Sequence, residues 1–290
     1  MKKIIILIPV YNDWQSLNNL LVEINSYIND IKNVSFNCII INDASTLPCP
    51  SIKVPSNISS IKLINMKENR GHARCNAFGI RYLAKKSNFD HLILMDGDGE
   101  DRPQEIKLLV KKALTNLSTS VVAKRVKRSE GPFFQFLYQL HKAITFTFTG
   151  KLINFGNYSC LTREDVGTIS NKKSLWSSFS GTVKKYILNL NSINSERGTR
   201  YYGPSQMSLY KLGIHSLSII AVFKEIVFLR SAIILILTSF FYNQVGACLI
   251  FFQIFLVIFN LLIYIVSFRE NENELINSHN NEKSLKIYTH

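Results

Sequence analysis

The chain has 290 residues, 47% of them hydrophobic, so it can bury a sizeable core and is not globally disordered. Lys and Arg number 34 against 20 Asp and Glu, a formal net charge of +14. That charge suits nucleic acid, an anionic lipid surface or phosphorylated small molecules, and its distribution must separate them. The cysteines Cys38, Cys49, Cys75, Cys160 and Cys248 include no C-x-x-C pair, which argues against a disulfide framework and a structural zinc site.

The opening MKKIIILIPVYND reads as a buried first strand over 3–8 rather than a signal peptide, because the apolar run stops at Pro9 and no small-residue cleavage site follows. Leu17, Leu20, Leu21, Ile24 and Ile28 then recur at helical spacing. Strands are expected over 36–41 and 61–66, a helix over 72–86, a strand over 91–95, a helix from Pro103 to about 117, and a strand over 121–123. Pro103 suits a first helical turn. This alternation predicts an α/β domain: a mostly parallel sheet covered by helices, with ligands beyond the carboxyl ends of the strands. Residues 124–224 are more polar and less regular, with a helix expected over 133–147.

The last part changes character. Between 226 and 268 the charge is confined to Arg230, and 233–242 and 245–268 are nearly all apolar. The second stretch is long enough to cross a bilayer, which takes ~20 residues. The first reaches that length only if Arg230 snorkels to the interface. A two-helix transmembrane hairpin turning at Asn243-Gln244 would put both ends on one side. Lys184, Lys185, Arg197, Arg200, Lys211, Lys224 and Arg230 make that side cytoplasmic by the positive-inside rule. Residues 209–228 fit an amphipathic helix on the membrane surface, or equally a packing helix. The expected organisation is a catalytic or binding domain over 1–210, a juxtamembrane helix over 211–229, the hairpin over 230–268, and a polar, mobile cytoplasmic tail over 269–290.

Chemistry concentrates in loops after strands. Asp96-Gly97-Asp98-Gly99-Glu100-Asp101 follows one strand and precedes a helix. A D-x-D pair with a further carboxylate can gather oxygen ligands around Mg²⁺ or Mn²⁺, which keep positions open for substrate phosphates. An ordinary acidic turn is the alternative. Ile8-Pro9-Val10-Tyr11-Asn12 and Ile41-Asn42-Asp43-Ala44-Ser45 end two other strands; Asp43 could accept from a base or ribose, and Tyr11 could lie along a base. No G-x-G-x-x-G follows the first strand, and no P-loop is present. Asn69-Arg70-Gly71-His72 opens a helix, where free N–H groups favour an anion.

Taken together, IPVYN, INDAS, NRGHARCNA and MDGDGEDRP, in that order, resemble the nucleotide-sugar glycosyltransferases of family 2. VVAKRVKRSEG, RYYGPSQMSLYKLGIHSLS and the apolar C-terminal segments make the chain similar to the polyprenyl-phosphate sugar transferases, the dolichol-phosphate-mannose-synthase-like group. The resemblance implies a GT-A fold and transfer with inversion at the sugar's anomeric carbon. It also implies that Asp96, Asp98 and Glu100 hold Mg²⁺ or Mn²⁺ on the donor diphosphate, and that Pro9, Tyr11 and Asp43 frame the nucleotide, with Arg70 among the substrate-binding residues. Arg125 and Arg128 would contact phosphates of donor or acceptor as catalytic residues beside Asp98, and Arg200 with Ser205 would sit in the final phosphate-contacting motif. Asn157 stands in the substrate site where the group often has an Asp-Phe-Arg-like stretch, and Gln206 stands where a Lys is common.

Asn157 cannot act as a base. A sugar hydroxyl must lose a proton to attack, whereas a lipid phosphate is already an anion at neutral pH. The expected reaction is therefore transfer from a nucleotide sugar to polyprenyl (undecaprenyl) phosphate, by a multi-pass protein of the inner (cytoplasmic) membrane with its catalytic domain in the cytoplasm. Transfer to a hydroxyl of a lipid-linked saccharide during surface polysaccharide synthesis is the alternative, and would need Glu164, Asp165 or another carboxylate as base. A non-catalytic membrane scaffold is a third reading. Nucleic acid is not an expected partner; the lipid bilayer is, and hairpins of this kind can pair copies of the chain into a homo-oligomer.

Overall fold

The computed structural model describes residues 1–86, 88–127, 132–204 and 208–290. The first half alternates strand and helix: β1 (Lys2–Val10), α1 (Trp14–Ile28), β2 (Val34–Asn42), β3 (Ile58–Met66), α2 (His72–Lys86) and β4 (His91–Leu94). A short 3₁₀ turn at Pro103–Glu105 leads into α3 (Ile106–Thr115) and β5 (Ser120–Lys127). The second half adds α4 (Pro132–Thr149), β6 (Phe155–Thr162), α5 (Arg163–Ser170), a 3₁₀ turn at Lys173–Trp176, α6 (Phe179–Tyr186) and β7 (Leu190–Glu196). Then come α7 (Leu209–Ala221), α8 (Lys224–Ser239), α9 (Tyr242–Val245), α10 (Ala247–Ser267), α11 (Glu272–Ile276), a 3₁₀ turn at Asn277–Asn281 and β8 (Glu282–Tyr288).

These strands form one sheet in the order β7-β5-β6-β4-β1-β2-β3-β8. Its centre, β4-β1-β2-β3, is parallel, while β6 and β8 pair antiparallel to their neighbours. The sequence of β1 explains its central place. Ile5 and Leu7 enter the core under α2, α5 and α6, whereas Ile4, Ile6 and Ile8 enter the core under α1 and α3. A strand covered on both faces reads as a continuous apolar run. With β1, β2 and β4 parallel, the loops after Val10, Asn42 and Leu94 emerge at one end of the sheet, where the acidic motif lies.

The GT-A-like α/β fold with a mostly parallel sheet is therefore present, but three parts depart from the expectation. First, β6, β7, α5 and α6 occupy the stretch read as irregular. The edge strand β7, LNSINSE, is polar and only partly buried, so it lacks the apolar alternation that marks a strand. Second, the helix starting at Leu209 stops at Ala221, and α8 runs unbroken from Lys224 through Arg230. Arg230 Nη1 donates to the Thr147 carbonyl at 2.9 Å, so this exposed cation satisfies the C-terminal end of α4. The turn between α8 and α10 is α9, ending at Gly246 with φ +64°, rather than Asn243-Gln244 alone. Third, the tail is not loose. Its last strand, β8, pairs antiparallel with β3 from Ile61↔Tyr288 to Met66↔Glu282.

Among the described residues, α10 is the helix long and apolar enough to cross a membrane. α8 has 16 residues, a length of ~24 Å against a hydrocarbon core of ~30 Å. A stripe of α10, including Leu256, Phe259 and Ile263, is buried in the core it shares with α7. Much of the rest of its surface is apolar and exposed: Phe251, Ile254, Phe255, Ile258 and Leu261 are each at least half open.

Candidate active site

The acidic loop after β4 is folded by its own backbone. The Glu100 N–H donates to Asp98 Oδ1 at 3.0 Å, and the Asp96 N–H donates to Asp101 Oδ2 at 2.9 Å. Gly99 takes φ +89°, and a Cβ there would meet the Tyr201 ring at 2.5 Å, so only glycine fits. Tyr201 N–H donates to the Asp98 carbonyl at 3.0 Å and Gly198 N–H to the Glu100 carbonyl at 2.8 Å, which ties the 197–202 segment over the loop.

Each carboxylate then has its own cation or dipole. His72 Nε2 lies 3.1 Å from Asp96 Oδ1, and Asn157 Nδ2 donates to the same oxygen at 3.1 Å. Arg200 bridges Asp98, at 2.8 Å, and Asp13. Glu100 pairs with Arg197, and Arg125 Nη2 stands 4.0 Å from Asp101 Oδ1. Burial would raise the Asp96 carboxyl, but His72, Arg125 and Asn157 outweigh it and hold it well below the usual carboxylate range. Asp98 is pushed up to about 6 by burial and by Asp96 and Glu100. Asp101 is pushed up to about 8 by burial and the Asp96 charge. Four carboxyl groups, Asp96, Asp98, Glu100 and Asp101, are thus crowded where burial and their mutual repulsion oppose full ionisation.

The expected three-carboxylate ligand set is not assembled. Among the described residues no three His, Cys, Asp or Glu side chains converge as a ready cage, because Glu100 is turned to Arg197 and Asp98 to Arg200. Asp96 and Asp98 remain adjacent, and two carboxylates completed by substrate phosphates suit Mg²⁺ or Mn²⁺. The crowded carboxyl oxygens fit a divalent cation, whose charge would favour their ionised forms.

The second group of loops lies alongside. Asp43 is 4% exposed; its Oδ1 and Oδ2 accept the N–H groups of Arg70 and Gly71, each at 2.9 Å. Gly71 adopts φ +87°, which presents its N–H to the carboxylate. Pro9 is buried at the end of β1, and Tyr11 beyond it is 45% exposed, open to a ligand ring. Asn12 at φ +52° accepts the Thr46 and Leu47 N–H groups, joining the β1 and β2 loops. The Arg70 side chain is exposed and pairs with Glu68 at 2.9 Å.

The family is decided by sequence: the family described as Glycosyl transferase family 2 matches residues 5–179, which include both groups of loops. The chain belongs to glycosyl transferase family 2. It is an enzyme of glycosyltransferase type. No curated protein matches its sequence. Similar solved structures include glucosyl-3-phosphoglycerate synthase from Mycobacterium tuberculosis with Mn²⁺, UDP-glucose and phosphoglyceric acid. That structure has 15% identity and a TM-score of 0.55, covering 78% of this chain and 80% of that one. The same synthase with Mg²⁺ and UDP matches at 14% identity and TM-score 0.51, covering 78% and 79%. These similarities concern the fold.

For this family 2 transferase the structure gathers Asp96, Asp98, Asn157, Arg125 and Arg200 around one acidic loop, with Asp43, Pro9, Tyr11 and the 70–71 amides beside it. Arg128, Ser205 and Gln206 lie outside the described residues. Asp165 lies in the first turn of α5, where its N–H donates to the Thr162 cap and its carboxylate accepts from Ser120, at the other end of β6 from Asn157. Glu164 lines a cleft beside Lys3 and Asp90, near the N-terminal ends of β1 and β4. Neither carboxylate reaches the site as a base. Sequence reasoning missed Asp13, Asp101 and Arg197, although each stands within or next to a quoted motif. It also missed His141 of α4 and His215 of α7. Burial pushes His215 down to about 4, assisted by the positive field of His72, Arg125 and His141.

Proposed function

We propose that the chain transfers a sugar from a nucleoside-diphosphate donor to a polyprenyl phosphate at the cytoplasmic face of a membrane, with inversion. One observation carries this reading. The helix with the large exposed apolar surface, α10, packs on α7, and His215 of α7 stands within electrostatic reach of Arg125, His72 and Asp96. A bilayer-seated helix is thus one element away from the acidic loop, where a lipid headgroup would have to arrive. Pairing α8 with α10 as a transmembrane hairpin, with α4 and α7 at the lipid surface, extends the same reading.

The donor nucleotide lies over Pro9 and Tyr11 with its base toward Asp43. Asp96 and Asp98 would hold the divalent cation, which would supply charge neutralisation for the leaving diphosphate. An acceptor phosphate oxygen attacks the anomeric carbon on the face opposite the diphosphate; the new C–O bond forms as the old one breaks, and the diphosphate departs with the electron pair. Because this acceptor is an anion at neutral pH, no base is required, and Asn157 suffices beside Asp96. Arg125 and Arg128 position the acceptor phosphate, and Arg200 with Ser205 closes the donor side.

The test supplies purified protein with Mg²⁺ or Mn²⁺, a panel of radiolabelled nucleotide sugars and undecaprenyl phosphate, followed by extraction of the lipid phase. Metal-dependent label in a mild-acid-labile lipid is the expected result and names the donor. Nucleotide binding without lipid label would move the acceptor to a saccharide hydroxyl. No nucleotide binding would favour a scaffold.

A further inference from the structure

The segment after α10 returns to the domain and grips one loop of the site. The Lys67 N–H donates to the Asn281 carbonyl at 2.7 Å, and Lys67 Nζ donates to the Asn280 carbonyl at 2.7 Å. The Asn281 side chain holds both backbone groups of Glu68: its Oδ1 accepts the Glu68 N–H at 3.0 Å, and its Nδ2 donates to the Glu68 carbonyl at 3.0 Å. Two residues further on, Arg70 and Gly71 direct their N–H groups at Asp43. The loop has little else to fix it from its own side chains, since Glu68 and Arg70 pair with each other at the surface.

A second contact fastens the same segment to the body. Trp176 Nε1 donates to Glu274 Oε2 at 2.7 Å, and the Arg74 guanidinium lies 5.6 Å from the centre of the Trp176 ring. Between these attachments runs a cleft of about 280 Å³, bordered by Asp43, Arg70 and Arg74 on one side and by Glu274 and Asn281 on the other. The C-terminal segment is therefore a wall of the space beside Asp43.

We propose that Asn281 is a positioning residue for the donor nucleotide. By clamping Glu68 it sets the 67–71 loop so that the Arg70 and Gly71 amides hold Asp43 in the orientation that receives the base. This rests on the reading of Asp43 as a nucleotide contact. It also ties the donor site to the membrane anchor, because Asn281 follows α10 directly through α11. Amides held by two accepting oxygens still leave the carboxylate lone pairs for a base N–H.

The test uses the full chain in detergent with Asn281→Ala and Asn281→Asp. Binding of UDP and GDP with Mn²⁺ is measured by calorimetry, donor KM and kcat by transfer assay, and exchange of the Arg70 and Gly71 amides by hydrogen–deuterium exchange. Asn281→Ala is expected to weaken nucleotide binding and raise donor KM by roughly tenfold, with kcat within about twofold, and to accelerate exchange at both amides. Asn281→Asp keeps the acceptor for the Glu68 N–H but loses the donor, so it should fall between. A purely structural role would lower the melting temperature with no change in KM or in exchange at those amides, and would overturn the proposal, as would a fall in kcat at constant KM. A wild-type chain that binds no nucleotide overturns the donor role and the reading of Asp43; faster exchange at Arg70 and Gly71 in Asn281→Ala would still uphold the clamp itself.

Discussion

Arg200 Nη1 donates to Asp98 Oδ2 at 2.8 Å, across 102 residues of sequence, and the same guanidinium also pairs with Asp13. One cation thus joins the loop after β1, the loop after β4 and the segment leading to the apolar helices. Planar, multiply donating and always charged, arginine suits a position that holds two carboxylates now and can turn to phosphate oxygens when a donor enters.

Asp98 sits at the centre of that arrangement, so Asp98→Asn is expected to lower sugar transfer by at least ~10²-fold. Membrane retention and melting temperature should stay near wild type, since Asn preserves the shape. Chelation with EDTA should give the same loss in the wild type, restored by Mn²⁺ or Mg²⁺. Near-normal turnover in Asp98→Asn would sink the assignment of Asp96 and Asp98 to the metal.

The placement of the loops after β1, β2 and β4 was readable from sequence because they follow apolar strands. A run such as LILMDGDGE reports a buried strand and the loop beyond it in one glance. The partners of that loop were less readable. Arg197 and Arg200 lie about a hundred residues away on a polar stretch, and only the folding of 197–202 over Gly99 brings them to Glu100 and Asp98. β8 was hidden for a different reason: its sequence EKSLKIY is largely exposed and polar, and what fixes it is backbone pairing with β3, which hydropathy does not record.

Asn157 tests how Asp96 is ordered. Its amide donates to Asp96 Oδ1 and lies 2.7 Å from His72 Nε2, so it orders a carboxylate and takes no proton. Asn157→Ala should cost about tenfold in kcat/KM with a phosphate acceptor, the scale of a lost hydrogen bond to a charged group. Steady-state transfer to undecaprenyl phosphate measures it. Complete loss would mean that Asn157 does more than order Asp96 and would overturn this reading of its role.

His91 predicts a pH effect on stability rather than on catalysis. It is 2% exposed at the start of β4, and neither ring nitrogen has a hydrogen-bond partner. Burial pushes its pKa below the ordinary histidine value of 6.5, with Lys2 adding to the effect and Asp90 opposing it. The unfolded chain therefore takes up a proton near pH 6.5 that the folded chain refuses. Stability should fall as pH drops below that value, by at most ~1.4 kcal/mol per pH unit from this group. Denaturant titrations from pH 5 to 8 should show a shallower acid slope for His91→Leu than for the wild type. Parallel slopes would mean that His91 is protonated in the fold.

Lastly, the exposed face of α10 should decide where the protein resides. Phe251 and Phe255 are 72% and 66% exposed, one turn apart, on a helix whose opposite stripe is buried against the domain. In water these side chains gain nothing; in hydrocarbon each contributes ~2 kcal/mol, whereas a lysine near the bilayer centre costs about 2.5–3.5 kcal/mol. Phe251→Lys with Phe255→Lys should therefore move a large share of the protein from the membrane pellet to the soluble fraction, while the domain retains its melting transition and its nucleotide binding, because neither side chain lies in the core. Transfer to a water-soluble short-chain prenyl phosphate should survive in the released protein, and transfer to the long-chain lipid should fall. If the double variant stays in the pellet after carbonate extraction, α10 does not carry the attachment.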